Sequence, residues 1–322
     1  MDLPSSYFDK YMASKHSPGF IIVICVVLFL VALVVGSVEF GLIEFFTNQH
    51  WRSYFLSPAI ISYLILVSPR FSQMDQVIVE SLRPLIKLEK EEYNQLVREL
   101  LYVNPLKEVL AIIIGVIFAF STLITSFDFS WIFVYQLIMS SLTYALLSWV
   151  IYVNISSFNF IPTLMRQPLE INLFDISPFT SIGRQSLLLS LVFAGGITIS
   201  MIFVFDAALF QTLQFWLIYI PLGLCPAIIF FSNMIPTHQV ISKAKKKELE
   251  KVEKPVIKLS RQLLKSVQRG ESASELAAEI NALNVFKKEL KNAPTWPYDF
   301  SMLRTLFFSI LLPGLVIILK SI

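Results

Sequence analysis

The side chains of this sequence best placed to do chemistry are polar groups lodged in apolar runs. Gln136, Ser140, Tyr144, Ser148 and Tyr152 recur every four residues, and Ser301, Thr305 and Ser309 do the same. On a helix that spacing lines each set along one face. A polar group in hydrocarbon costs free energy until it meets water or a partner. Each face therefore lines either a hydrated path or ligand pocket, or it makes interhelical hydrogen bonds worth about 0.6 kcal/mol apiece. The small hydroxyls have a third outlet in their own helix backbone. Ser186, Ser190, Ala194 and Thr198, beside Gly195 and Gly196, form a small-residue stripe that lets backbones approach closely, within the chain or between subunits.

Charged candidates gather at the ends of apolar runs. Glu39, Glu44, Asp128 and Asp206 stand near one surface. In a symmetric oligomer they would form acidic rings that concentrate cations at a pore mouth. As isolated groups they cap turns or are solvated, except Glu39, which lies deepest and requires a partner. At the opposite surface stands a basic run, Lys243, Lys245, Lys246, Lys247, Lys251 and Lys254. It suits anionic lipid headgroups, at about 1 kcal/mol per cation. Glu248, Glu250 and Glu253 interleave with it and no recognition motif accompanies it, so nucleic acid is not expected as a partner. Catalysis is not expected either: His16, His50 and His238 are scattered, and the glycines form no phosphate loop or dinucleotide fingerprint. Cys25 and Cys225 lie in separate apolar blocks, which speaks against a disulfide framework. No metal site and no cofactor are expected.

The elements that position these residues are membrane helices. Of the 322 residues 55% are hydrophobic and 15% charged, and the mean hydropathy is +0.67, far too apolar for a soluble domain of this length. The apolar blocks run to about 18 residues or more, the length that crosses about 30 Å of hydrocarbon. The fold class read from them is all-α, a polytopic helical membrane protein of about seven transmembrane helices. The spans fall near 19–46, 54–68, 107–126, 131–153, 185–205, 211–233 and 302–320. The second is short and carries Pro58, so it is either a full crossing or a tilted or partial one whose helix continues into the polar segment that follows.

Orientation follows from the basic residues. With the N-terminus inside, 24 of the 26 Lys and Arg residues lie on the inner side, leaving Arg52 and Lys320 outside, as the positive-inside rule requires. The chain then divides into a cytoplasmic tail (1–18), spans one and two (19–68), a cytoplasmic helical segment (69–106), spans three and four (107–153), a cytoplasmic loop (154–184), spans five and six (185–233), a cytoplasmic helical hairpin (234–301) and the last span (302–322). Pro18, Pro105, Pro178 and Pro297 precede the outward-going spans, a position where proline costs no hydrogen bond; Ser17, Asn104 and Ser177 are candidate caps. In the hairpin, Leu249, Val252, Val256, Leu259 and Leu263 form one apolar stripe, and Leu276, Ile280, Leu283, Phe286 and Leu290 the other. Arg269 to Ser272 is the expected turn, and Pro255 is expected to kink or split the first helix.

Trp296, Pro297, Tyr298 and Asp299, followed by Leu303, Arg304, Thr305, Leu312 and Pro313, with Pro236, His238 and Lys245 upstream, carry a resemblance. This pattern resembles uncharacterised prokaryotic multi-pass membrane proteins that share a W-P-[FY]-D lead-in to the last span and a basic helix leaving the one before it. It covers roughly the C-terminal third and implies no assigned activity. The layout, with seven spans, minimal outer loops and long inner helices before a separate last span, looks like that of the insect chemoreceptor-type channels. That likeness implies a cation-conducting oligomer with the inner helices as an anchor and the last span at the pore, though layout alone does not carry function.

Three functional readings stand at this point. The first is an oligomeric, cation-preferring channel or channel-like sensor in the plasma membrane, with lipids and further copies of itself as partners. The second is a secondary transporter, against which the odd span count and the missing inverted repeat argue. The third is a non-conducting anchor or signalling subunit whose cytoplasmic hairpin docks a partner protein.

Overall fold

A computed structural model describes residues 18–123, 130–156, 159–204, 213–269 and 272–321. These residues form helices α1 (Pro18–Phe40), α2 (Leu42–Thr47), α3 (Trp51–Leu82), α4 (Lys90–Leu100), α5 (Pro105–Leu123), α6 (Trp131–Ser156), α7 (Phe160–Met165), α8 (Ser177–Val204), α9 (Leu213–Gln268), α10 (Ser274–Asn292) and α11 (Phe300–Ser321). A 3-10 turn follows α3 at Arg83–Leu85, and an isolated antiparallel bridge joins Ile86 to Leu169. Among the described residues, six helical stretches are long and apolar enough to cross a membrane: Gly19–Phe40, Trp51–Leu85, Lys90–Leu123, Trp131–Met165, Ser177–Phe203 and Ile220–Gln268. The helix α11 adds a shorter apolar stretch, Phe300–Val316.

Several boundaries differ from those the sequence suggested, each for a local reason. The first apolar block is not one helix to residue 46. Gly41 adopts φ +76°, a conformation side chains disfavour, and the chain turns there so that α2 folds its Phe45 back under α1 beside Ala32 and Tyr54. The second block is part of a long helix, α3, which holds Pro58 and Pro69 within it. Its 32 residues extend about 48 Å at 1.5 Å per residue. Helix α8 starts at Ser177, upstream of its apolar block. Asn104 caps α5 as expected, its Oδ1 accepting from the amides of Leu106 and Lys107 at 3.0 and 3.4 Å. Ser177 does not cap; its hydroxyl donates to Asp175 Oδ1 at 2.6 Å. Pro255 neither ends nor splits α9. Val252 and Val256 on either side of it are held in the adjoining core, which offsets the hydrogen bond that proline removes.

The three charge-rich segments, separate in sequence, close on one hydrophobic core. Ile78, Val79 and Leu82 from the end of α3, Tyr93 and Val97 from α4, Phe160 and Leu164 from α7, Phe179 and Ile182 from α8, Ile241 and Val252 from α9 and Leu290 from α10 are all buried together. This basal domain is reached without a helix break along α3, α8 and α9. In the apolar part, α5 pairs with α6, and α8 is the central helix, packed against α3, α9 and α11.

Candidate functional site: a clamp at the foot of the last helix

The segment between α10 and α11 is Ala293-Pro294-Thr295-Trp296-Pro297-Tyr298-Asp299. Its two prolines keep the preceding residues extended and prevent α10 from running on into α11. Helix α11 restarts where the Asp299 carboxylate accepts the amide of Met302 at 2.8 Å, an N-cap that satisfies one of the free donors of the first turn. At the other end, Lys245 of α9 donates to the carbonyls of Lys291 and Ala293, both at 2.7 Å. An ammonium suits the negative end of the α10 dipole.

Between these caps the segment is gripped from two sides. On the α9 side the imidazole of His238 lies flat on the Trp296 indole, with centroids 4.0 Å apart and planes within 10°. His238 Nδ1 is 3.2 Å from the carbonyl oxygen of Thr295. A carbonyl can only accept, so Nδ1 carries a proton, and Nε2 lies 3.5 Å from the Ser242 hydroxyl. Below this, Phe230 and Met234 of α9, Met302 and Leu306 of α11 and Leu187 of α8 form a buried cluster with Trp296 and Tyr298. On the α8 side Gly183 meets the Pro297 carbonyl so closely that a Cβ would collide with it. The start of α11 is thus fixed to α8 and α9 where those helices enter the basal domain.

Beside the clamp lies a groove of about 380 Å³ between α3, α6, α7, α8 and α9. Its walls are mainly apolar, with Asn154, Gln185, Ser232 and Asn233 as polar groups. The Gln185 amide is held by Asp75 of α3, to which it donates at 2.5 Å.

The polar residues singled out from sequence fall in separate places. In the stripe on α6, Gln136 is exposed and Ser140 half-buried, Tyr144 packs edge-on against Phe118 of α5 at 5.0 Å, Tyr144 and Ser148 flank Gly115, and Tyr152 donates to the Asn104 carbonyl at 3.3 Å. From Tyr144 to Tyr152 it is a contact with α5. On α11, Ser301 is exposed, Thr305 donates to the Ser301 carbonyl at 2.9 Å and buried Ser309 to the Leu306 carbonyl at 2.7 Å. On α8, Ser186, Ser190 and Ala194 are buried, Ser190 and Thr198 bond back to the carbonyls of Ser186 and Ala194, and Gly195 lies against the Tyr63 phenol of α3. Glu39 accepts a hydrogen bond from the Tyr54 hydroxyl, and Glu44 is exposed on α2. Asp128 and Asp206 lie outside the described residues. Lys243, Lys246 and Lys247 are exposed, while Lys245 belongs to the clamp.

Two pairs escaped sequence reading, one buried and one half-buried. Glu108 on α5, 4% exposed, accepts from the Trp149 indole of α6 at 2.8 Å. The signal available was a carboxylate inside the first turn of an apolar helix. Asp75 and Gln185 are 110 positions apart, and neither has local context that points to the other.

Comparison of the chain with protein-family models, with curated proteins and with solved structures yields no match.

Proposed function

We propose that this chain is a seven-span plasma-membrane protein, N-terminus inside, that assembles as a homo-oligomer and works as a cation-preferring channel or channel-like sensor, with α11 nearest the conduction path. The clamp is the observation that supports this reading. The basal domain holds the first turn of α11 through Asp299, Trp296 and Pro297, so a shift of α8 against α9 is passed to the foot of the last span. Transitions of this kind, small helix displacements amplified at a packed junction, are a common switching device. The 22 residues of α11 extend about 33 Å, sufficient for a crossing. The exposed faces of Phe307, Phe308, Leu311, Leu312 and Leu315 are left for lipid or a neighbouring subunit. The 24 inner against two outer basic residues support the orientation.

Reconstitution into a planar bilayer tests the proposal. It requires unitary currents that favour cations and whose open probability changes with Trp296→Ala. Bilayers that stay silent across voltages and ligands would overturn it, and ion-driven uptake without unitary currents would point to a transporter instead. A second reading, an anchor whose basal arm docks another protein, is favoured by exposed apolar residues at the arm's tip, Leu264 and Val267 at 63% and 62%. Deleting Pro236–Ala293 would then abolish capture of that partner.

A further inference from the structure

Beyond the basal core, α9 and α10 continue as a two-helix arm. The outermost ion pair between them among the described residues is Glu253–Lys287. From Lys254 to Gln268 of α9 the charges are Lys254, Lys258, Arg261 and Lys265, with no carboxylate. Their spacing of four, three and four residues lines them along one helix face, and all four are exposed. Exposed Ile257 and Leu264 border that face, at 48% and 63%. The opposite side of the helix, with Val252, Val256, Leu259 and Leu263, is the more buried one and carries the stripe turned to α10. On α10 the pattern inverts: from Ser274 to Phe286 the only charges are Glu275 and Glu279, one turn apart and exposed, with exposed Ala278, Ala282 and Val285 alongside.

We propose that this arm docks on a second copy of this chain, the cationic face of α9 on one copy meeting the anionic flank of α10 on the next. The inference rests on the homo-oligomeric reading above and specifies the contact that makes it. Charge complementarity selects the partner: the arm carries both halves of the match on different helices, and each half is flanked by apolar or small residues able to pack. Leu264 stands 28 residues beyond Pro236, about 42 Å along a helix at 1.5 Å per residue, which takes the arm well past the headgroup layer as a site of action for these cations. The two surfaces differ, so the contact either pairs reciprocally across a two-fold axis or repeats head to tail, closing into a ring where the rotation allows it.

The test uses the full chain in nanodiscs, weighed by native mass spectrometry. The wild type is expected to be a discrete oligomer. Lys258→Glu with Arg261→Glu should raise its dissociation concentration at least tenfold, Glu275→Lys with Glu279→Lys should do likewise, and the four changes combined should restore the wild-type mass. All four substituted side chains are exposed, and an unchanged melting temperature for each variant verifies folding. Reversed variants that keep the wild-type mass, or a combined variant that stays dissociated, overturn the arm contact while leaving the oligomer intact. A monomeric wild type overturns both. Weaker binding to anionic vesicles by the α9 reversal alone, with no change of mass in either reversal, would assign the arm to a membrane surface and likewise overturn the proposal.

Discussion

Gly183 of α8 lies against the carbonyl oxygen of Pro297, with the Met302 sulfur the next atom a side chain there would meet. The blocking atom is backbone, pinned between the two caps of the α10–α11 segment, so it cannot swing aside as a flexible side chain would. Gly183→Ala is therefore expected to destabilise the protein by about 1–3 kcal/mol, the usual cost of overpacking. Gly196→Ala, thirteen residues along the same helix, meets nothing within 4 Å and should be neutral or stabilising by up to about 1 kcal/mol through helix propensity. Thermal unfolding of the two variants in detergent decides this; equal melting temperatures would show that the close approach at Pro297 does not matter.

The His238–Trp296 stack and the His238–Thr295 bond are separable. His238→Phe keeps a ring over the indole and loses the hydrogen bond, a change of about 1 kcal/mol. His238→Ala also forfeits the ring contact, worth about 0.5–1.5 kcal/mol more. Cleavage by a protease between Asn292 and Phe300 should therefore increase in the order wild type, His238→Phe, His238→Ala. The reverse order for the two variants would mean that the ring contact is not what holds the segment.

Glu108 and Trp149 tie α5 to α6 inside the apolar region. Glu108→Gln preserves an acceptor for the indole N–H, whereas Glu108→Ala leaves that donor buried, at a cost of about 1–3 kcal/mol. Glu108→Ala should thus lower the melting temperature more than Glu108→Gln does. In a double-mutant cycle with Trp149→Phe the two losses should be less than additive, and full additivity would sink the pairing.

What the sequence made legible was periodicity, and what it concealed was distance. The apolar stretches and the two stripes of the hairpin follow from spacing along one helix, which is why α5 begins at its capped proline and α10 lies where its apolar period puts it. Asn104, whose cap is two and three residues away, was readable for the same reason. The basal core was not, because Ile78, Phe160 and Val252 come from segments that each look merely amphipathic or irregular until they meet. The break at Gly41 was hidden by uninterrupted apolar composition, and the continuity through Pro255 by a local rule that packing overrides. In the clamp, Trp296, Asp299, His238 and Lys245 were visible as a pattern, but the partner that fixes them on the α8 side is Gly183, whose contribution is the side chain it lacks.

Tyr93 offers a pH test of the basal core. Its ring is 1% exposed, and its hydroxyl donates to the Val79 carbonyl at 2.7 Å. Burial pushes the phenol from about 10 up to about 12, while the Arg83 guanidinium acts in the opposite direction; that group lies 5.0 Å from the ring centroid. The folded state therefore holds the proton more tightly than the unfolded chain does. The stability this confers is complete below about pH 10 and is lost as the pH rises through about 12, since the unfolded state sheds its proton first. Tyr93→Phe removes both the hydrogen bond and the titration. The wild type should be the more stable of the two by about 1 kcal/mol at neutral pH, hold that lead to the edge of the window, and surrender it between pH 10 and 12. Denaturant midpoints for both proteins across that range measure it, and a gap that stays constant into the alkaline arm would show that the phenol is not protected as its burial requires.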